Sequence, residues 1–284
     1  MCGADTLSAA FAFDFDSDFA LLLTLTLLLI LTLHLKCCDC ILMKKRRRPR
    51  GPANPQRPRF PNEVRVLYED DAVIALDKPA GLPAVPVAKN SRAPSAWSIL
   101  SAELRERRQR AFVVHRIDRF TSGILVFAKT PRDRDALVGQ FLEHTPVREY
   151  TAVIRGTVQP SSGTLVHYFR KEGQLQKVSR ERDPKAARAE LHYEMERPLR
   201  DASVIRVTLV TGLQNQIRAQ FSAIGHPVIG DRKYHPSEAE EHRIARVALH
   251  AAHLEFTHPR TGKLIRVDSD LPQDFRALVK GLTT

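Results

Sequence analysis

The chain has 284 residues, 43% of them apolar, which is enough for one large core or two modest ones and excludes disorder throughout. Its 44 Lys and Arg against 32 Asp and Glu leave a formal charge of +12. The simplest attractor for such a charge is a polyphosphate surface such as RNA or DNA, with acidic small molecules as the alternative. All four cysteines, Cys2, Cys37, Cys38 and Cys40, lie in the first 42 residues, so the remainder has no disulfide or thiolate metal site, which fits a reducing, cytoplasmic setting.

Residues 1–42 hold Lys36 alone against five aspartates, a local net of −4, so residues 43–284 carry +16. Residues 19–35 are almost unbroken apolar, close to the lower limit of the roughly 17 to 25 that a spanning helix needs. Asp14, Asp16 and Asp18 stand where a cleaved signal has positive charge, and Lys44-Lys45-Arg46-Arg47-Arg48 follows the run. The membrane reading is therefore an N-terminal anchor with the body on the cytoplasmic side. The rival is a natural start at Met43, with residues 1–42 a foreign extension. It accounts together for the change in cysteine usage, charge sign and composition, and is preferred. Residues 43–62, rich in Arg and Pro, read as a disordered basic arm, lying on phosphates or serving as a solubilising tail.

In the body, residues 64–77 give two β-rich runs around an acidic turn, a hairpin that Lys78-Pro79-Ala80-Gly81 breaks. Trp97, Leu100 and Leu104 recur at helical spacing after Pro94, and residues 112–114 and 124–128 are short apolar strands flanking a polar turn. Thr130, Pro131 and Asp133 start a helix with Leu137 and Phe141 on one face. Strands are expected at residues 150–154, 189–195 and 203–210. A helix bearing Ile217, Phe221 and Ile224 ends at Gly225, with Pro227 beyond. Residues 249–256 and 263–267 form another hairpin before a short helix at 272–280. Strand pairs with inserted helices define an α+β domain over residues 63–284 with a mixed, mainly antiparallel sheet and flanking helices.

The polar turn reads His115-Arg116-Ile117-Asp118-Arg119-Phe120-Thr121-Ser122-Gly123, an acid between two arginines. Taken alone it reads more readily as a salt-bridged loop, the common use of Asp in turns. With Ile124-Leu125-Val126-Phe127-Ala128-Lys129-Thr130 after it, however, it resembles the central signature of RluA-type pseudouridine synthases. Further blocks follow in family order: Asp77-Lys78-Pro79-Ala80-Gly81-Leu82, Arg148-Glu149-Tyr150-Thr151-Ala152-Val153, Asn215-Gln216-Ile217-Arg218 and Gly225-His226-Pro227-Val228-Ile229-Gly230-Asp231. The resemblance covers residues 64–278 and implies the pseudouridine synthase fold, with an RNA-binding cleft across the sheet. The S4-type domain that many relatives carry has no counterpart here.

The resemblance implies isomerisation of selected uridines in ribosomal or transfer RNA by a monomer without cofactor or metal. Asp118 matches the catalytic aspartate that initiates breakage of the base-to-sugar bond, so that the uracil rotates and reattaches through carbon. Arg218 matches the arginine paired with it, an opposed charge that keeps a carboxylate ionised and aimed. Tyr150 matches the tyrosine that packs on the target base. Arg116 matches the residue that enters the RNA stack when the uridine flips out. His115, Arg119 and Thr121, in the same motif, are further candidate RNA contacts. Read alone, Arg218 could be a surface arginine, Tyr150 a core tyrosine and Arg116 a phosphate contact.

One departure stands out: Leu213 occupies a position where relatives usually have arginine, which keeps open a non-catalytic RNA-binding or ribosome-assembly protein on the same fold. Glycoside hydrolysis would need a second carboxylate opposite Asp118, for which no motif provides a candidate. His250 and His253 form an isolated pair without further ligand spacing and read as structural histidines.

Overall fold

The computed structural model describes residues 64–88, 93–235 and 243–283. The apolar run at 19–35 and the basic arm lie outside these residues. Among the described residues no helix is long and apolar enough to cross a membrane.

The expected first hairpin is present as β1 (Arg65–Glu69) and β2 (Val73–Lys78). Its turn is organised by Asp70, whose Oδ1 accepts the Ala72 and Val73 backbone N–H groups at 2.8 Å each, the local use for which a short acid suits a turn. Helix α1 (Ala96–Glu106) starts at a capping box in which the Ser95 and Ser98 side chains satisfy each other's backbone N–H. It buries Ala96, Leu100 and Leu104, one per turn. Then come β3 (Phe112–Val113) and β4 (Ser122–Ala128), and β4 is buried along its whole length. Its side chains alternate: Ile124, Val126 and Ala128 join one apolar cluster with Leu137, Leu254 and Phe256, while Leu125 and Phe127 join another with Leu76, Leu100 and Leu104. A strand covered on both faces needs this continuous apolar run, and each large side chain so buried stabilises by about 2 kcal/mol.

Helix α2 (Pro131–Leu142) begins as expected, with Thr130 at the N-cap and proline in the first turn, and covers the first of those clusters with Leu137. Strand β5 (Val147–Arg155) opens the second half of the sheet. It is followed by β6 (Ser162–Glu172), β7 (Leu175–Ser179), β8 (Ala187–Pro198) and β9 (Ala202–Leu209). Helix α3 (Gln216–Ala223) precedes β10 (Leu249–Thr257), β11 (Leu264–Asp268) and α4 (Gln273–Thr283). Ile217 and Phe221 from α3 and Phe275, Leu278, Val279 and Leu282 from α4 pack with β5 and β9 as the largest apolar cluster.

One sheet of eleven strands results, in the order β1-β2-β4-β10-β5-β9-β8-β6-β7, with β3 added to β4 and β11 to β10. It is antiparallel except where β4 meets β10, pairing Ser122 with His250 and Gly123 with Ala251. This mixed α+β architecture is the expected one, although the β6–β7 hairpin was not foreseen. At the parallel junction Gly123 has φ +106°, and a Cβ there would lie 2.2 Å from the Ala251 carbonyl oxygen, so only glycine lets the two halves come together.

Below the junction runs a buried polar chain. The Ser122 hydroxyl meets His250 Nδ1 at 2.9 Å, and His250 Nε2 meets the Ser269 carbonyl at 3.0 Å. Ser269 in turn donates to Asp77. Arg246, paired with Asp274, also donates to Ser122. His250 is thus a structural histidine, and His253 lies against Asp268 and Glu255.

Candidate active site

The loop of residues 114–121 leaves β3 and returns into β4 at the junction of the two half-sheets. Backbone ties fix its shape: Thr121 N–H donates to the Asp118 carbonyl at 3.2 Å, and Gly81 N–H donates to the Arg119 carbonyl at 2.7 Å. Lys78, fully buried, directs its ammonium at the carbonyls of Pro79, Leu82 and Arg119, at 3.0, 2.9 and 3.2 Å. Three acceptors match three donors, so this lysine pins the loop after β2 to the loop that carries Asp118. Burial pushes its pKa down to about 7, while the nearby carboxylates of Asp118 and Asp77 work the other way.

Asp118 faces Arg218 of α3, whose Nη1 stands 3.3 Å from Asp118 Oδ2. The guanidinium is held by more than this contact. Its Nε and Nη2 make a bidentate pair with Asp231, both at 2.7 Å, and Nη1 also donates to Asn215 Oδ1 at 2.8 Å. Its plane lies over the Tyr234 ring, 5.4 Å from the centroid. Burial pulls the Arg218 pKa down, but Asp231 and Asp118 outweigh it and raise it above the ordinary value, so the cation is permanent. Asn215 adopts left-handed backbone, φ +57°, at the N-cap of α3 without capping the helix. Its side chain serves Arg218 instead.

Above this pair opens a cleft of about 290 Å³ lined by Arg116, Asp118, Thr121, Tyr150, Leu213 and Asn215, among others. Tyr150 comes from the centre of β5, paired to Val207 and Ala251. Burial raises its hydroxyl to about 12, with the nearby Arg148 working against it and Asp118 with it, so the hydroxyl keeps its proton and is an O–H donor rather than a base. Two positions along β5, Arg148 is buried with its Nη2 on the carbonyls of Leu209 and Val210. Gly212 makes room for it, since a Cβ there would lie 2.8 Å from Arg148 Nη1.

The fold therefore gathers four of the expected site residues, Asp118, Tyr150, Arg116 and Thr121, around one cleft, with Arg218 reaching it through its contact with Asp118. The other two are turned elsewhere. His115 Nε2 accepts the Val126 backbone N–H at 3.1 Å, and its ring stacks on Phe141 with centroids 4.5 Å apart. Burial, with Arg148 nearby, drives its pKa down to about 3, so the ring is neutral and part of the core of α2 and β4. Arg119 donates from Nε to the Gly81 carbonyl and lies over Phe120. Three contributors were assigned no role from the sequence: Lys78, Asn215 and Asp231. Each sits inside a motif block, but no local pattern announces its long-range partner. Leu213 lines the cleft and packs against the small apolar cluster of Phe169, Ala189 and Ala219.

A carboxylate held by a permanent cation and a tyrosine thus meet at one small cleft. The architecture matches the solved structure titled Human RNA Pseudouridylate Synthase Domain Containing 4, with TM-score 0.64 at 19% identity over 77% of this chain and 92% of that one. Residues 72–223 match the family model described as RNA pseudouridylate synthase. Over 230 residues the chain is 35% identical to ribosomal large subunit pseudouridine synthase D of Zymomonas mobilis, covering 77% of this chain and 73% of that protein. It is 32% identical to an uncharacterised RNA pseudouridine synthase of Bacillus subtilis, covering 78% and 74%. The chain belongs to the RNA pseudouridylate synthase family, in its RluA-type branch, and is an RNA pseudouridine synthase.

Proposed function

We propose that the chain converts specific uridines of ribosomal RNA to pseudouridine, with Asp118 as the essential carboxylate. The observation that carries this reading is the Asp118–Arg218 contact of 3.3 Å on the floor of the cleft. Support for ribosomal over transfer RNA comes from relatives named for the large ribosomal subunit, in Zymomonas mobilis and Nitrosomonas europaea.

In this reading Arg116, exposed at the cleft edge, replaces the target base in the RNA stack, and the flipped uridine enters the cleft. Its volume suits one nucleotide and not a duplex. Tyr150 takes the base face, and Thr121 with the backbone of its loop limits the sugar's position. Asp118, kept ionised and aimed by Arg218, acts at the ribose and the bond from C1′ to N1 breaks. The uracil turns, C5 bonds to C1′, and the C5 proton leaves to solvent while N1 gains one, so the product is an isomer. The domain over residues 63–284 does this as a monomer in the cytoplasm.

The test is release of tritium from uridine labelled at C5, using the full chain and either ribosomal or transfer RNA from a strain lacking the enzyme. Release from ribosomal RNA is expected. Release from transfer RNA alone would move the substrate, and release from neither would overturn the reading.

A further inference from the structure

Helix α1, β3 and the start of α2 border a second, open cavity, about 820 Å³ in volume, that shares no lining residue with the cleft. It is set well away from the chemistry. Strand β3 pairs with the far end of β4, at Phe127 and Ala128, while the Asp118 loop enters β4 at Ser122. Five residues of strand, about 17 Å, separate the two levels.

Three features of this cavity bear on what it could hold. First, Arg105, Arg108 and Arg110 line it and form no ion pair among the described residues, and no carboxylate lines it. Of the acids nearby, Glu103 pairs with Arg107, Glu69 with Arg107 and Lys129, and Asp135 with Arg134, the fourth arginine of the lining. Second, two lining side-chain oxygens are buried without a hydrogen-bond partner, Ser101 Oγ and Gln109 Oε1. A buried acceptor left unmade costs about 1 to 3 kcal/mol, and a turn of the Gln109 side chain toward the cavity would let it accept an N–H from a ligand. Third, aromatic surface is at hand. Trp97 lines the cavity with its Nε1 tied to the Ala111 carbonyl at 3.0 Å, and Arg110 lies over the Phe112 ring at 5.5 Å. Arg108 also holds a left-handed φ of +57° at the end of α1, a turn that brings Gln109 N–H back onto the Leu104 carbonyl.

Free guanidiniums, a ring and an unmatched amide oxygen are together the complement of a nucleotide: phosphate, base plane and base N–H. We infer that this cavity is a second RNA contact that takes one unpaired nucleotide of the substrate RNA. Its phosphate lies on Arg105, Arg108 and Arg110, its base on Trp97, and a base N–H is donated to Gln109 Oε1. The inference rests on RNA being the substrate, and it adds an anchor outside the cleft that helps to select which RNA fold is held.

Trp97 is the single tryptophan of the chain, so its emission reports the cavity directly. The full chain is titrated with ribosomal RNA while emission, gel retardation and tritium release are followed on the same samples. Quenching that saturates together with retardation is expected. Arg105→Glu/Arg108→Glu should raise the half-saturating RNA concentration about tenfold and reduce the salt slope of binding by about 1 to 2, with turnover at saturating RNA retained. The neutral pair Arg105→Gln/Arg108→Gln should shift both in the same direction by less, and Gln109→Leu should weaken quenching by RNA. Emission unchanged at RNA concentrations that saturate retardation would overturn the inference. So would equal quenching by inorganic polyphosphate, which has no base. Loss of tritium release by the wild type with quenching intact would sink the enzymatic reading and leave the second site standing.

Discussion

The active site and the α1 cavity both depend on arginine, and they use it in opposite ways. Arg218 is 6% exposed and committed, with Asp231, Asp118 and Asn215 taking four hydrogen bonds from it. Arg105, Arg108 and Arg110 are exposed, and none forms an ion pair among the described residues. A cation that must aim a carboxylate has to be immobile, so it is buried, and burial requires full pairing. Cations that attract a phosphate chain work best unpaired and hydrated, because affinity there comes from the counterions that RNA releases. The same residue type therefore marks chemistry in one region and grip in the other, and the partners tell them apart.

If the cleft is built on commitment, removing a partner should damage the fold. Asp231→Ala leaves Arg218 buried with its bidentate partner gone, and a loss of about 3 kcal/mol or more is expected in urea unfolding. A loss under about 1 kcal/mol would mean that Asp118 and water replace Asp231 at no cost.

His115 offers a pH test of the same region. Its folded pKa is about 3, against 6.5 for the free side chain, so the unfolded chain takes up the proton first. The His115 contribution is complete above pH 6.5 and is lost as pH falls from there toward 3. Between about pH 7 and pH 5 the wild type should lose roughly 1 to 2 kcal/mol more than His115→Gln. Parallel losses in the two proteins would show that the ring is protonated in the fold.

Leu213→Arg asks whether the cleft rim gains from a free cation of the kind the α1 cavity displays. Tighter RNA binding by a few-fold, with little change in turnover, is expected from one added phosphate contact. The smallest effect belongs to the cavity itself. Arg105→Gln/Arg108→Gln should change unfolding free energy by no more than about 1 kcal/mol, since neither arginine has an ion-pair partner to lose and only Arg105 sits in the last turn of α1.

Residues 64–142 are legible in the sequence because their signals are local. The acidic turn at Asp70, the N-cap at Thr130 with proline after it, and the apolar run of residues 124–128 each carry their structure within a few residues. The β6–β7 hairpin was not, because its strands mix charged residues such as Arg170, Lys171, Glu172 and Lys177 with apolar ones, and only part of each strand is covered. Asp118, Tyr150 and Arg218 were named through motif resemblance, yet their meeting is long-range: Asp118 and Arg218 are 100 positions apart in sequence. The inward turn of His115 depends on Phe141 from α2, and the clamp of Arg218 on Asp231 beyond its own helix, and neither pairing leaves a local trace.

The role of Asp118 is tested most directly by single-turnover tritium release from ribosomal RNA, comparing wild type with Asp118→Ala at matched fold by circular dichroism and matched RNA binding. A fall on the order of 10⁴-fold or to background, with binding unchanged, is expected if Asp118 is the group that acts on the ribose. Release within about tenfold of wild type would contradict the assignment of the chemistry to this carboxylate.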